Sequence, residues 1–145
     1  MKFPKELSNG FIIFLGIGAY FLLMNALGLA DVTYLRLLNI LFIVYGVNKT
    51  IVSNLSEGQR NFLPDAISAF ATAFIGVVLS IIGLWAYSHI RGGDSYVENL
   101  SRTYLCGENP PLATYCVYLL FEGLGSCIIV TLILMFYHNN KYAID

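Results

Sequence analysis

Residues 66–91 read AISAFATAFIGVVLSIIGLWAYSHIR. This run contains no acidic residue and no lysine, and its only arginine is the last residue. In helical conformation, roughly 20 mainly apolar residues cross the ~30 Å of hydrocarbon in a bilayer. A helix that is apolar on all faces is buried in a large protein or in a membrane. The run therefore predicts a membrane-spanning helix.

Three further segments have the same character, at about residues 10–30, 34–53 and 112–138. Only 12% of the 145 residues are charged, against about 25% in an average soluble domain. We therefore predict an all-α integral membrane protein in which residues 1–145 form a single four-transmembrane-helix bundle. Residues 28–31 predict a short, tight hairpin between helices 1 and 2, and a longer outer loop is expected between helices 3 and 4.

The loops give hypotheses about local structure, topology and partners. The pattern Ser95-Tyr-Val-Glu98 is typical of a helix N-terminus, so we predict a short amphipathic helix there, either on the membrane surface or solvated. Five lysines and arginines against three favour a topology with both termini in the cytoplasm. A net charge of -1 provides no basic surface for nucleic acid. The expected partners are the lipid bilayer and other membrane subunits, or a second copy of the chain.

Small side chains recur along the third span at alternating steps of three and four residues. In lipid, small residues let helix backbones approach closely. The pattern predicts either packing inside the bundle or a docking face for another subunit. We call it the packing stripe, and it consists of Ala66, Ala69, Ala73, Gly76, Ser80 and Gly83.

Polar residues inside the spans are the candidate functional residues. Arg36, Asn39 and Asn48 lie along the second span, Asn25 in the first, and Glu122 about ten residues into the fourth. A carboxylate at that depth costs on the order of 3 kcal/mol to insert unless it is paired or protonated. Arg36 enters from the same side in the favoured topology, which predicts an Arg36–Glu122 pair. Such a pair could relay a proton or cation, fix the helix register or contact a partner protein.

Two cysteines fall near the end of the outer loop. If the loop faces an oxidising compartment, Cys106 and Cys116 are predicted to form a disulfide. Cys127, inside the fourth span, is interpreted as a small apolar side chain. Loop disulfides also occur in four-span membrane thiol oxidoreductases, but the first hairpin here lacks the Cys-x-x-Cys pair that such an enzyme needs. No metal site, cofactor or catalytic constellation is predicted.

Two stretches resemble a known family. They are YLRLLNILFIVYGVNK at residues 34–49 and FLPDAISAF at residues 62–70. They resemble a domain-of-unknown-function family of small four-span membrane proteins common in Bacteroidetes, in which the order of hairpin and loops is similar. The resemblance implies a bacterial inner membrane and supplies no activity.

The sequence therefore predicts a non-catalytic accessory or assembly subunit of a larger bacterial inner-membrane complex. This hypothesis rests on the packing stripe and on the lack of a catalytic motif. The alternative is a small channel or a proton- or cation-coupled transporter that uses the buried Glu122 carboxylate. A membrane thiol oxidoreductase is the third alternative.

Overall fold

A computed structural model describes residues 4–29, 32–96 and 111–142. Its helices are α1 (Lys5–Ala26), α2 (Thr33–Leu37), α3 (Ile40–Ser56), α4 (Phe62–Ile90) and α5 (Leu112–Tyr137), followed by a 3₁₀ turn at Asn139–Lys141. These described residues contain no strand. Four helical stretches are long and apolar enough to cross a membrane, which confirms the predicted all-α fold class. Of the predicted loop helix, residues 94–96 are helical and the rest lies outside the described residues.

The helices form a bundle with α4 at its centre. Both α4 and α3 pack against the other long helices, whereas α2 makes no extensive contact with any helix. We call the end where α1 and α4 begin the terminal end, because the described parts of both chain termini lie there. The opposite end, where α1 turns into α2, is the hairpin end. The first and third spans extend further toward the terminal end than predicted, beginning at Lys5 and Phe62.

The tightest packing in the bundle surrounds Ile13 of α1, which is 0% exposed. Its side chain lies between Gly46 of α3 and Gly76 of α4. A Cβ atom added at Gly76 would lie 2.6 Å from Ile13 Cγ2, and one added at Gly46 would also overlap the Ile13 side chain. Only glycine therefore permits this approach of three helix backbones.

The packing stripe is used inside the bundle. Ala69 and Ala73 are fully buried, and a Cβ atom at Gly83 would lie 2.9 Å from the ring of Phe14 on α1. Much of this face of α4 is thus occupied by α1. Of the two interpretations of the stripe, the structure supports packing between helices of the same chain.

The second span covers Tyr34–Ser56, close to the predicted residues 34–53, but its helix contains a local irregularity. The irregularity lies at Leu38 and Asn39, where backbone hydrogen bonds change to three-residue spacing, as in Asn39 N–H to Arg36 C=O at 3.0 Å. The Tyr20 hydroxyl of α1 donates to the Leu35 carbonyl at 2.8 Å. Irregular backbone within a membrane is tolerated where protein groups satisfy it or where it lines a cavity. Leu38 and Asn39 both keep helical dihedral angles, so the irregularity is one tightened 3₁₀-like turn between α2 and α3.

The predicted disulfide is not seen. Cys116 is a free thiol in the second turn of α5 and packs with Leu112 and Tyr115 in a small core cluster. Cys106 lies outside the described residues. The fourth span was predicted to begin at residue 112, as α5 does, so Cys116 belongs to the helix and its side chain packs against this cluster.

A Gly76→Ala substitution tests the close packing of Ile13 against Gly76. The added methyl group overlaps Ile13, and overpacking of this kind destabilises a core by about 1–3 kcal/mol. We expect a lower Tm for detergent-solubilised protein. The matched control is Gly125→Ala on α5, where an added Cβ has no heavy atom within 4 Å. Equal Tm values for the two variants would contradict the described packing.

Candidate functional site

A cavity of about 320 Å³ lies between the helices at the hairpin end. The residues of α2 that line it are Leu35, Arg36 and Leu37. Its walls are mostly apolar and come from every helix. Representative lining residues are Phe14, Ile17 and Phe21 of α1, Leu35 of α2, Ile43 of α3, Ile81 and Leu84 of α4, and Leu119 of α5.

The predicted pair of Arg36 and Glu122 lines this cavity. Arg36 Nη2 lies 3.6 Å from Glu122 Oε2, and Arg36 Nη1 donates to the Tyr115 hydroxyl at 3.0 Å. The Arg36 side chain is 18% exposed and that of Glu122 is 34% exposed. The sequence therefore correctly predicted which charges meet. At 3.6 Å this contact is an ion pair and is too long for a good hydrogen bond.

Two serine hydroxyls of the cavity wall donate to backbone carbonyls of their own helices. The Ser80 hydroxyl donates to the Gly76 carbonyl at 2.7 Å, and the Ser126 hydroxyl donates to the Glu122 carbonyl at 3.1 Å. Asn39 is different, because its Oδ1 is buried without a hydrogen-bond partner. An unsatisfied buried acceptor is costly and calls for an explanation. The tightened turn in the second span places this amide beside the cavity.

Asn25, another predicted site residue, lies at the hairpin end and is not part of the Arg36–Glu122 ion pair. Its Nδ2 donates to the Tyr87 hydroxyl at 3.1 Å, and its Oδ1 accepts from the Tyr96 hydroxyl at 3.1 Å. The Arg91 guanidinium lies 5.4 Å from the Tyr87 ring centroid. Burial, with a smaller effect from neighbouring Tyr87, raises the pKa of Tyr96 to about 12, so this hydroxyl stays protonated as a donor.

A second polar cluster, the terminal-end network, is centred on Asp65 of α4, which is 0% exposed. Asn54 Nδ2 donates to Asp65 Oδ1 at 2.7 Å and to Ser68 Oγ at 3.0 Å. The Tyr142 hydroxyl donates to Asp65 Oδ2. Lys5 Nζ donates to Asn54 Oδ1 at 2.7 Å, which connects the network to the surface.

Further into the bundle, hydroxyls and an amide link three helices. Asn9 Nδ2 of α1 donates to Thr50 Oγ1 of α3 at 2.8 Å, and Thr50 Oγ1 lies 2.9 Å from Thr72 Oγ1 of α4. All three residues are buried. This chain of hydrogen bonds joins α1, α3 and α4 inside the bundle.

The sequence analysis missed the importance of Asp65. The carboxylate was not among the polar residues named as candidate functional residues. Its partner Tyr142 is 77 residues away in sequence, and the Asp65–Tyr142 bond depends on how the C-terminal segment folds back over the bundle. The available signal was a charged residue bordering an uninterrupted apolar run, which alone does not specify a partner.

A buried apolar layer separates the cavity from the terminal-end network. It consists of one residue from each long helix, namely Ile13, Val47, Ala73 and Val130. Each of these residues is at most 2% exposed, and none lines the cavity. The bundle thus has a cavity at one end and is closed by packed side chains toward the other.

Asn48, the last predicted polar residue, contacts His138 at the terminal end. His138 Nε2 lies 2.8 Å from Asn48 Oδ1, and His138 Nδ1 is buried without a hydrogen-bond partner. Burial lowers the pKa of His138, and the nearby Lys141 charge lowers it further, whereas Asp65 acts weakly in the opposite direction. Asn48 therefore does not reach the Arg36–Glu122 pair. In the described ranges, no three His, Cys, Asp or Glu side chains are grouped so that they could hold a metal ion.

No family model, curated protein or solved structure matches this chain. The resemblance to a small four-span family of Bacteroidetes therefore stays a prediction. The interpretation of the site depends on its geometry alone.

Stability is expected to fall when the pH drops below about 6.5, the ordinary pKa of histidine. Because the folded-state pKa of His138 is lower than its unfolded value, the unfolded chain binds a proton first, and stability is full only above that pH. Thermal unfolding between about pH 7.5 and 5.5 measures this loss. His138→Gln keeps an amide donor for Asn48 but cannot titrate, so it should lose less stability. Identical pH dependence in the two proteins would refute the role of His138.

A Tyr142→Phe substitution tests the terminal-end network. Burial and the Asp65 carboxylate raise the pKa of Tyr142, so the hydroxyl remains a donor at any physiological pH. Its removal leaves a buried carboxylate short of one partner, which costs about 1.5–3 kcal/mol. The matched control is Tyr45→Phe, at a side chain that is 60% exposed on α3. We expect a lower Tm for Tyr142→Phe alone.

Proposed function

We propose that this protein is a small, non-catalytic transport protein of a bacterial inner membrane that binds its solute in the hairpin-end cavity. The observation that carries this proposal is the Arg36–Glu122 pair, which faces an apolar cavity of about 320 Å³. Ligand sites in proteins are concave, mostly apolar and about 300–1,000 Å³ in volume, with a few polar groups that orient the ligand. The cavity meets each of these criteria.

The site costs free energy of folding, which supports a functional role for it. Charged residues within a span are expensive and mark substrate or ion pathways by default. Unfilled volume also destabilises a packed core. A pair that served only to fix helix register would need no cavity beside it, so the combination favours an occupant.

The architecture suits a carrier that is accessible from one side. The cavity lies at the hairpin end, and Ile13 and its neighbours in the apolar layer close the bundle toward the terminal end. Discontinuous helices are common at transporter binding sites, and the irregular turn at Asn39 lies on the cavity wall. With both termini in the cytoplasm, the cavity faces away from it. We propose α2 as the segment that moves, since no other helix packs extensively against it.

The accessory-subunit hypothesis ranks second. It was based on the packing stripe as a docking face, and the buried part of that stripe is covered by α1 of the same chain. Other membrane subunits or a second copy could still accompany a carrier. They would have to use a different surface. No catalytic step is proposed.

Cysteine accessibility tests whether the cavity admits water. In a chain without native cysteines, Ser80→Cys places a thiol in the cavity wall. Ile82→Cys is the matched control, two residues along α4 at a side chain that is 56% exposed on the outer surface. We expect a charged, membrane-impermeant methanethiosulfonate reagent to modify Ser80→Cys and to leave the lipid-facing Ile82→Cys unmodified.

The same reagent, added to intact spheroplasts, reports the orientation. Modification of Ser80→Cys from outside supports the proposed topology. If neither thiol reacts even in detergent-free nanodiscs open to both faces, the cavity is sealed and the carrier proposal fails.

A further inference from the structure

We propose that residues 138–142 form a pH-sensitive strap, which covers Asp65 while His138 is neutral and releases it when His138 binds a proton. The strap belongs to the terminal end of the bundle, so the proposal is independent of the hairpin-end cavity and of any solute there. It follows from the anchors of the strap, from the surroundings of the imidazole ring and from what lies beneath Tyr142.

Two buried side chains anchor the strap at its ends. His138 is 4% exposed and Tyr142 is 7% exposed, whereas the three residues between them are exposed. The His138 ring contacts Asn48 of α3, and the Tyr142 hydroxyl donates to Asp65 of α4. Segments that are held by few buried contacts open at a lower free energy than the whole fold. Loss of one anchor therefore favours local release of the strap.

The surroundings of His138 suit the neutral ring and disfavour the protonated one. A neutral imidazole has one N–H donor and one acceptor nitrogen, whereas the protonated ring has two N–H donors. Asn48 Oδ1 lies 2.8 Å from His138 Nε2 and can accept from one of them. His138 Nδ1 is buried without a hydrogen-bond partner, so a second N–H there would lack an acceptor. Burying an unpaired donor on a charged group is costly, and protonation therefore favours a ring exposed to water.

The charges around the ring favour the neutral form as well. Burial lowers the pKa of His138, the positive charge of Lys141 lowers it further, and Asp65 has a weaker, opposite effect. The neighbour on α3 is the uncharged Asn48, and the Tyr137 ring lies edge-on at 5.0 Å. Because the docked ring has a lower pKa than the released ring, the closed strap is fully stable above about pH 6.5 and loses stability as the pH falls below it.

Release of the strap uncovers a buried carboxylate. Asp65 is 0% exposed, and it accepts hydrogen bonds from Tyr142 and from Asn54. The Tyr142 ring also packs edge-on against Phe62 at the start of α4, with ring centroids 5.5 Å apart. When Tyr142 leaves, Asp65 loses one donor and the ring that covers it, and water takes their place. The pH on this side of the membrane thus decides whether Asp65 is covered or hydrated.

A spin label on the strap tests its release. In a chain without native cysteines, Asn140→Cys carries a nitroxide label in the exposed middle of the strap. In nanodiscs, we expect the label to be immobilised near pH 7.5 and its mobile fraction to rise several-fold near pH 5.5, reversibly. The matched control is a label on Ser56→Cys, which is exposed at the end of α3 and should give the same spectrum at both pH values.

Two substitutions identify the titrating group. His138→Gln cannot titrate and keeps a donor for Asn48, so its strap should stay immobile at both pH values. Lys141→Gln removes the charge that lowers the pKa of His138 but keeps the backbone carbonyl that accepts from Arg60 Nη1 at 3.0 Å. It should therefore reduce the mobile fraction near pH 5.5. A merely structural role of Lys141 would instead raise the mobile fraction at both pH values.

The uncovering of Asp65 is measured at Met135, which is 0% exposed and whose sulfur contacts the Tyr142 hydroxyl at 3.4 Å. A charged methanethiosulfonate reagent should modify Met135→Cys slowly near pH 7.5. Relative to Ser56→Cys at the same pH, which corrects for the titration of the thiol, the rate should rise several-fold near pH 5.5.

Each contrary outcome overturns the proposal. A label at Asn140 that is equally mobile at both pH values would show that the strap does not respond to acid. A parallel change at Ser56 would indicate unfolding of the whole terminal end, and an unchanged acid response in His138→Gln would assign the titration to another group. If His138→Gln is mobile at both pH values because Gln does not dock, the sign of the Lys141→Gln effect decides. None of these results bears on the proposed solute site.

Discussion

The packing of the Ile13 side chain between Gly46 and Gly76 is the contact on which the rest of the bundle depends. In a bilayer, helices associate by close packing because lipid offers no hydrophobic driving force between them. The two glycines let α1 approach α3 and α4 closely. One turn before Ile13, that approach brings Asn9 within hydrogen-bonding distance of Thr50. One residue after it, Phe14 already lines the cavity. The same contact thus divides the molecule into its two polar regions.

The two regions satisfy their polar groups differently. In the terminal-end network, Asp65 is fully buried and receives hydrogen bonds from Asn54 and Tyr142, so its charge is stabilised by fixed neighbours. Such a network specifies one packing arrangement and has no need of a ligand. At the hairpin end, the Arg36 and Glu122 atoms of the ion pair lie 3.6 Å apart, and the Glu122 side chain is 34% exposed. Asn39 Oδ1 has no hydrogen-bond partner. The terminal end also holds a buried polar atom without a partner, His138 Nδ1, so it is the cavity that assigns the functional hypothesis to the hairpin end.

The sequence predicted the features that a single helix determines by itself, and those that follow from the side on which each span enters the membrane. Four apolar runs predict four spans, and the entry of Arg36 and Glu122 from the same side predicts their pairing. It did not predict the irregular turn at Asn39, because no proline or glycine marks it and the Tyr20 contact that supports it comes from another helix. The Asp65–Tyr142 bond was missed for the same reason. The disulfide was predicted from the closeness of Cys116 to the loop, and which way that side chain faces depends on its packing with Tyr115 and Leu119, which the sequence does not specify.

The contacts of Arg36 and Leu35 explain how α2 is held beside the cavity. Arg36 reaches Tyr115 and Glu122 on α5, and the Tyr20 hydroxyl of α1 donates to the Leu35 carbonyl. The long Arg36 side chain connects two helices that otherwise do not pack closely at this end. A guanidinium within a span is costly when it lacks a counter-charge, so Glu122 also offsets the charge of the arginine that makes this tie. The pair therefore leaves the cavity with no net charge among its described lining residues.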